Sequence, residues 1–200
     1  MACLAPRAIL AAIVFAPLSA VPPTARASAQ DGGPYIQLEP RAMARVVYFG
    51  NAGVSGEYAI ECGKPAWKAE YEKGWDAMTR GKRLRLGKDW WTTLNTFCPL
   101  VMEKVEVKPG TYYLALDCSD KGEWSLVALD PEPIRKQRVD AFGSEQTKGG
   151  TKIPLKHEEV KESAAELTIQ FVADPKEQRQ QTLEIRFGKH RLAVVVQPKV

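Results

Sequence analysis

The sequence predicts an all-β protein, an antiparallel β-sandwich of about nine or ten short strands with one inserted amphipathic helix. Short segments rich in β-branched and aromatic residues, separated by Gly and Pro turns, recur along most of the chain. A helical period appears clearly only over residues 65–80. Two hundred residues without an internal repeat or a domain linker suit one domain with a substantial core. These observations favour a single domain over residues 30–200.

Residues 1–29 have the pattern of a secretory signal peptide. A short segment with one cation precedes an apolar run at residues 8–20, and Ala27-Ser28-Ala29 matches the small-x-small pattern that signal peptidase recognises. The apolar run is shorter than the roughly 20 residues that span a bilayer, so cleavage near Ala29 is favoured over a retained anchor. We therefore expect an extracytoplasmic protein, secreted or periplasmic, with no membrane span in the mature chain.

The charge balance argues against a nucleic-acid partner. Cleavage removes Arg7 and Arg26, which lowers the number of basic residues from 28 to 26 against 24 acidic residues, a net charge of +2. Proteins that bind nucleic acids normally concentrate cations on one face. A carbohydrate or an envelope protein is the partner that we consider instead.

Three cysteines remain after cleavage, and an oxidising compartment predicts one disulfide and one free thiol. A hairpin turn at residues 108–111 would place Cys118 opposite Val101, three residues from Cys98. A bulge or bend would then have to close the gap. We expect a Cys98–Cys118 disulfide, and the two pairings that involve Cys62 remain open.

The helix is expected to follow three short strands at residues 35–38, 45–49 and 58–62. Pro65 is suited to the first helical position, where its missing N–H costs nothing. The helix carries one apolar stripe at steps of four, four and three residues: Trp67, Tyr71, Trp75 and Met78. This stripe favours packing against the sheet, and an exposed ligand-binding surface is the alternative.

The segments after the helix alternate between strand and loop signals. Residues 83–86 alternate Arg and Leu, which favours a strand with one solvated face over an anion-binding patch. Residues 134–142 suit a short helix, residues 143–152 a mobile loop, and the charged residues 157–166 a further helix. Gly188-Lys189 fits a two-residue type II′ turn between two final strands. The remaining strands are expected at residues 90–97, 101–107, 111–117, 123–129, 167–171, 183–187 and 190–196.

Four elements occur in an order that resembles a bacterial secreted family known as domain of unknown function 2911. They are a Gly63-Lys64-Pro65 element, Trp90 with Asn95 five residues later, a Pro-Gly-Thr-Tyr hairpin segment at 109–112 and a strand that contains Trp124. The likeness covers roughly residues 35–197, although the family's Arg, Gly and Glu are replaced by Trp91, Thr93 and Thr96. The resemblance implies a secreted, β-rich bacterial protein and supplies neither a substrate nor a reaction.

Sequence signals for catalysis are weak. The two histidines, His157 and His190, lack the close spacing of a zinc site. The chain has no Gly-x-Ser-x-Gly motif that would expose a nucleophilic serine, and no Gly-rich phosphate loop after a strand. We therefore predict no catalytic residue, no metal site and no cofactor.

A binding role is the favoured interpretation. Neighbouring residues in a strand point to opposite faces, so only one of Trp90 and Trp91 can lie in the core. The predicted ligand-binding residues are Trp91, Asn95, Arg83 and Arg85. The leading hypothesis is a non-catalytic β-sandwich that binds a ligand or partner or serves an envelope role. The alternative is an extracytoplasmic hydrolase that acts on envelope sugars or esters.

Overall fold

A computed structural model describes residues 40–51, 53–177 and 179–199 of the chain. The first half contains β1 (Ala42–Gly50), β2 (Gly53–Cys62), helix α1 (Ala69–Thr79), β3 (Lys82–Arg85), β4 (Thr92–Thr96), β5 (Leu100–Met102) and β6 (Val105–Val107). The second half contains β7 (Gly110–Cys118), β8 (Trp124–Leu129), helix α2 (Pro131–Lys136), a 3₁₀ helix (Ala141–Gln146), β9 (Thr151–Ala173) and β10 (Gln181–Pro198).

The ten strands of the described chain form one antiparallel sheet in the order β1-β2-β4-β7-β8-β9-β10-β5-β6, and β3 also pairs with β7. One part of the sheet contains β1, β2, β3, β4, β7 and β8, and the other contains β5 and β6. The long strands β9 and β10 connect these two parts. The start of β9 pairs with β8, its remainder pairs with β10, and the end of β10 pairs with β5. The main core contains side chains from both parts of the sheet. The predicted all-β, sandwich-like fold is confirmed.

A second, smaller core lies on the outer face of β7 and β8. Trp91, Tyr113 and Val127 are buried there together with Ile134 of α2 and Ala141 of the 3₁₀ helix. Inward and outward residues alternate along a strand, so β7 and β8 contribute apolar side chains to both cores. The near-continuous apolar runs in these two strands follow from this double coverage.

The predicted Cys98–Cys118 disulfide is wrong, because Cys62, Cys98 and Cys118 are all buried free thiols. Residues 101–107 form two strands separated by a tight turn, and β7 pairs with β4 rather than with them. In that register Thr96 is opposite Gly110, eight residues from Cys118. At roughly 3.4 Å per residue, the two thiols are therefore separated by about 27 Å or more along the sheet.

The inserted helix is confirmed, but it begins later than predicted. Pro65 does not open it, because the backbone around Pro65 is extended and pairs with β9. Leu167 N donates to Pro65 O at 2.9 Å, and Trp67 N donates to Ala165 O at 2.8 Å. The first turn of α1 starts at Ala69.

Two predictions near the C-terminus are wrong for a shared reason. Residues 157–166 belong to β9 rather than to a helix, and Gly188-Lys189 lies inside β10 rather than in a turn. The β9–β10 register shifts on both sides of Gly188, so the charged segment of β9 is the irregular part of a strand pair. Such irregularity removes the period-two pattern by which strands are recognised in a sequence.

The segment expected to be a mobile loop is attached to the sheet. Residues 141–146 form the 3₁₀ helix, and β9 already begins at Thr151. The Arg83 guanidinium donates to Thr147 O at 2.9 Å and to Gly149 O at 3.1 Å. These bonds hold the connecting residues against the start of β3.

Two predictions, the signal peptide and the strand at residues 35–38, lie outside the described residues. Within the described part of the chain, neither helix is long and apolar enough to cross a membrane.

Candidate functional site

A cavity of about 260 Å³ lies beside α1, between this helix and strands of both parts of the sheet. Its wall is mostly apolar, with leucines from β3, β7, β9 and β10. Met78 also lines the cavity and is 38% exposed, so the cavity reaches solvent beside the helix. Six residues define its chemical character: Tyr71, Trp75, Met78, Trp124, Phe187 and His190.

Trp75 is the central ring of the cavity wall. Its indole stacks on the His190 imidazole at 3.7 Å between ring centroids and 5° between planes. The same indole stacks on Trp124 at 5.7 Å and 28°. These contacts join α1 to both β8 and β10, because the helical spacing turns Trp75 toward the strands.

Trp67 supports this wall from the extended segment before α1. Its ring meets Phe187 edge-on at 4.8 Å and Tyr71 edge-on at 5.5 Å. Edge-to-face contacts at these distances stabilise aromatic clusters beyond the area that they bury. Of the predicted stripe, Trp75 packs against the sheet from α1, whereas Trp67 does so from the extended segment before the helix. Tyr71, Trp75 and Met78 of the stripe also line the cavity.

The two histidines of the chain meet at the cavity. His157 Nε2 is 3.1 Å from His190 Nδ1, and the rings stack with 5.3 Å between centroids. His190 is only 5% exposed, and its Nε2 atom has no hydrogen-bond partner. Burial lowers the pKa of both imidazoles below their usual value of 6.5, and the adjacent His157 lowers that of His190 further. Nearby acids oppose these shifts without reversing them.

Irregular strand pairing creates this histidine pair. Arg186 is opposite Thr168, and a continuous register from there would place His190 opposite Ala164. Instead His190 is opposite Glu159, diagonal to His157. On the other face of the ladder, Arg191 is bound by Glu158 and by Glu184, whose Oε1 accepts from Arg191 Nε at 3.0 Å. This ion cluster holds the shifted register in place.

The predicted ligand-binding residues share the outer face of the sheet around β7, and of these four only Arg85 is also among the residues that line the cavity. Trp91 is 1% exposed and stacks on Tyr113 at 5.0 Å, so it presents no surface to a ligand. Asn95 Oδ1 accepts from Thr111 Oγ1 at 2.7 Å. Trp90, at 54% exposure, is the tryptophan of this pair that faces solvent.

On the same outer face, both predicted arginines already interact with other side chains of the chain. Arg83 forms a two-bond ion pair with Asp117, at 2.6 Å and 3.0 Å. The Arg85 guanidinium lies over the Phe142 ring at 4.1 Å, and its Nη1 atom is buried without a hydrogen-bond partner. Asn95 is opposite Thr111 of β7 and Arg83 is opposite Asp117, so the two side chains are about 20 Å apart along the sheet at roughly 3.4 Å per residue and do not converge on one ligand.

The cysteines do not supply a reactive group. Burial raises the pKa of Cys62, Cys98 and Cys118 above that of an ordinary thiol. A buried thiol with a raised pKa is a poor nucleophile, because the thiolate is the reactive form. Among the described residues, no group of three or more His, Cys, Asp or Glu side chains is arranged to hold a metal ion.

Comparison with known proteins gave no match. No family model, curated protein sequence or solved structure is significantly similar to this chain. The resemblance to domain of unknown function 2911 therefore stays a prediction.

The sequence indicated some cavity residues but not their shared role. Spacing identified Trp75 and Met78 as one helical face, yet much of the opposing wall comes from β8 and β10, far along the chain. His190 was placed beside a turn, and nothing local linked it to His157. The signal that could have found the pair is the register of β9 and β10, which the sequence pattern obscures.

Proposed function

We propose that this chain is a non-catalytic extracytoplasmic binding protein that holds a small apolar ligand in the cavity beside α1. The aromatic lining of a concave, solvent-reached cavity is the observation that carries this proposal. Ligand sites are typically concave and mostly apolar, with a few polar groups that orient the ligand. The sequence pattern of a signal peptide supports the compartment.

The size of the cavity supports a small ligand. A cavity of about 150 Å³ lined by apolar side chains is sufficient to bind benzene, and this one has about 260 Å³. One or two fused rings therefore suit the space. The surrounding indole, phenol and phenyl rings would contact such a ligand on several sides.

The composition of the wall favours binding over hydrolysis. Among the described residues that line the cavity, none is Asp, Glu, Ser or Cys. The Thr79 hydroxyl donates to Trp75 O at 2.8 Å and so is engaged with the helix. A hydrolase needs a nucleophile or an activated water beside a general base, and among these lining residues His190 is the one imidazole that could act as a base.

Naphthalene is a suitable first probe, because it has no hydrogen-bonding group and two fused rings. We expect saturable binding of one naphthalene per full-length chain by isothermal titration calorimetry. Leu84→Trp should weaken this binding at least tenfold, because Leu84 lines the cavity and the larger ring occupies the space of the ligand.

Val172→Trp is the matched control, since it introduces the same side chain at a position that is 40% exposed. It should leave the affinity unchanged. Thermal unfolding of both variants checks that they are folded, because overpacking costs about 1–3 kcal/mol. Absence of binding by the unmodified chain, or equal binding by Leu84→Trp, would contradict the proposal.

A further inference from the structure

Two residues that line the cavity have a buried side-chain nitrogen without a hydrogen-bond partner: His190 at Nε2 and Arg85 at Nη1, whose guanidinium lies over Phe142. His190 is 5% exposed, stacks on Trp75 and uses Nδ1 for its contact with His157. Its second ring nitrogen has no hydrogen-bond partner. A buried polar group without a hydrogen-bond partner lowers stability, so such groups are rare unless a ligand or water satisfies them.

The histidine pair can present either a donor or an acceptor at this atom. If His190 Nδ1 carries the shared proton, Nε2 of His190 is an acceptor. If His157 Nε2 carries it, His190 is the other tautomer and its Nε2–H is a donor. A hydroxyl group both donates and accepts, so it matches either tautomer without a change of charge.

Charges around the pair disfavour an anionic ligand. The groups that act on His190 are Glu72, Asp76 and Glu159, together with the neighbouring His157. Lys189 is paired with Glu72 at 3.4 Å, and Arg191 is bound by two carboxylates on the opposite face of the strands. A carboxylate bound beside His190 would therefore be repelled by these acidic groups, and the guanidinium of Arg85, the cation among the described lining residues, is already stacked on Phe142.

We propose that His190 is the specificity-determining residue of the cavity and that the ligand is an uncharged aromatic alcohol of the phenol class. Its ring packs among Trp75, Trp124 and Phe187, and its hydroxyl bonds to His190 Nε2. Aromatic contacts favour a ring over an aliphatic chain of equal volume. This inference rests on the proposed binding function and names the chemistry that the site selects.

Three probes of nearly equal size separate the possible ligand classes: naphthalene, 2-naphthol and 2-naphthoate. With the full-length chain at pH 7.5, calorimetry should give an affinity for 2-naphthol about tenfold above that for naphthalene. That ratio corresponds to about 1.4 kcal/mol. We expect 2-naphthoate to bind more weakly than 2-naphthol, because its carboxylate loses hydration without gaining a cation.

His190→Phe tests whether the preference comes from the imidazole. The variant keeps an aromatic ring against Trp75 but removes the ring nitrogens, so the ratio of the affinity for 2-naphthol to that for naphthalene should fall from about tenfold to about one, whatever its absolute affinity for naphthalene. His190→Gln keeps a hydrogen-bonding group and should restore part of the preference. If His190→Phe does not fold, as judged by circular dichroism, His190→Gln and the three-probe ranking on the unmodified chain still decide the question.

The outcomes distinguish this inference from the proposed function. If none of the three probes binds, the binding function itself fails. If naphthalene and 2-naphthol bind equally, or if 2-naphthoate binds best, the cavity binds ligands but the inferred ligand class is wrong. If 2-naphthol is preferred equally by the unmodified chain and by His190→Phe, His190 is not the residue that selects it.

Discussion

At the scale of single residues, Gly188 determines how closely Trp67 packs on β10. Its φ of 61° lies in the left-handed region, and an added Cβ would lie 2.5 Å from Cζ2 of the Trp67 indole. Only glycine tolerates both conditions. Because Trp67 contacts Tyr71 and Phe187, this one backbone position supports the wall of the cavity.

Gly188→Ala should lower the free energy of unfolding by about 3 kcal/mol. The left-handed backbone contributes about 1–2 kcal/mol of this and the displaced indole about 1–3 kcal/mol. Gly149→Ala is the control, since Gly149 has a φ of 70° but no atom within 4 Å of the position that an added Cβ would take. It should cost only about 1 kcal/mol, as measured by urea unfolding. Equal losses in the two variants would show that the contact with Trp67 is unimportant.

At the scale of elements, α1 depends on tertiary contacts more than on its own propensity. It has 11 residues, includes Gly74, and its N-cap residue Lys68 makes no side-chain capping bond. Isolated helices of this length are marginal in water. The stacking of Trp75 on Trp124 of β8 and on His190 of β10 therefore stabilises the helix.

The connection between the 3₁₀ helix and β9 depends on Arg83. Burial alone would raise the pKa of Asp117, but hydrogen bonds from Arg83 and Lys152 lower it below its usual value. Arg83 thus joins a carboxylate of β7 to the carbonyls of Thr147 and Gly149. Lysine cannot replace this arrangement, because it lacks the planar fork of guanidinium donors.

Arg83→Lys should accelerate tryptic cleavage after Lys148 by about tenfold or more, because the segment loses its bonds to Arg83. A tenfold rise in the population of the open segment corresponds to about 1.4 kcal/mol. Arg85→Lys on the same strand is the control and should leave the cleavage rate almost unchanged. Equal cleavage of Arg83→Lys and the unmodified chain would mean that other contacts hold the segment.

At the scale of the whole molecule, the histidine pair links stability to pH. Both imidazoles have a lowered pKa in the folded chain, so the unfolded chain binds more protons below the usual pKa of 6.5. The part of the folding stability that depends on neutral imidazoles is fully present above pH 6.5 and is lost progressively as the pH falls below 6.5. Losses from Glu158, Glu184 and Asp117, whose pKa values are also lowered, begin only below about pH 4.5.

The free energy of unfolding should therefore fall between pH 7 and pH 5, with a slope of at most about 1.4 kcal/mol per pH unit for each imidazole. His190→Phe should show a smaller slope over this range, because one buried imidazole and its repulsion of the other are gone. Urea unfolding at several pH values measures both slopes. If the free energy of unfolding of the variant changes with pH as steeply as that of the unmodified chain, groups other than His190 cause the pH dependence.

The main elements of the fold could be predicted because their signals are local. The alternation in β2, β7 and β8, and the steps of four and three in α1, reflect side chains that face one core. The Pro65 helix start, the hairpin at 108–111 and the turn at Gly188 could not be predicted correctly. In each case the local residues suit two conformations, and pairing with a distant strand selects one.

The site was predictable only in part. Arg83, Arg85, Trp91 and Asn95 do share a face, but α2 and the 3₁₀ helix cover the apolar part of it. Whether a strand face is solvated depends on segments that pack on it later in the chain. The alternation of side chains along a strand therefore separates Trp90 from Trp91 but does not reveal which segments pack on either face.

The sequence by itself determined that the chain is β-rich and that an amphipathic helix is inserted among its strands. Only the tertiary structure decided that the three cysteines stay apart and that His157 meets His190 beside an aromatic cavity. The physical reason is strand register, because a shift of a few residues between two strands changes which distant side chains become neighbours. Local residue patterns specify the faces of strands, whereas bulges and long-range pairing specify the site.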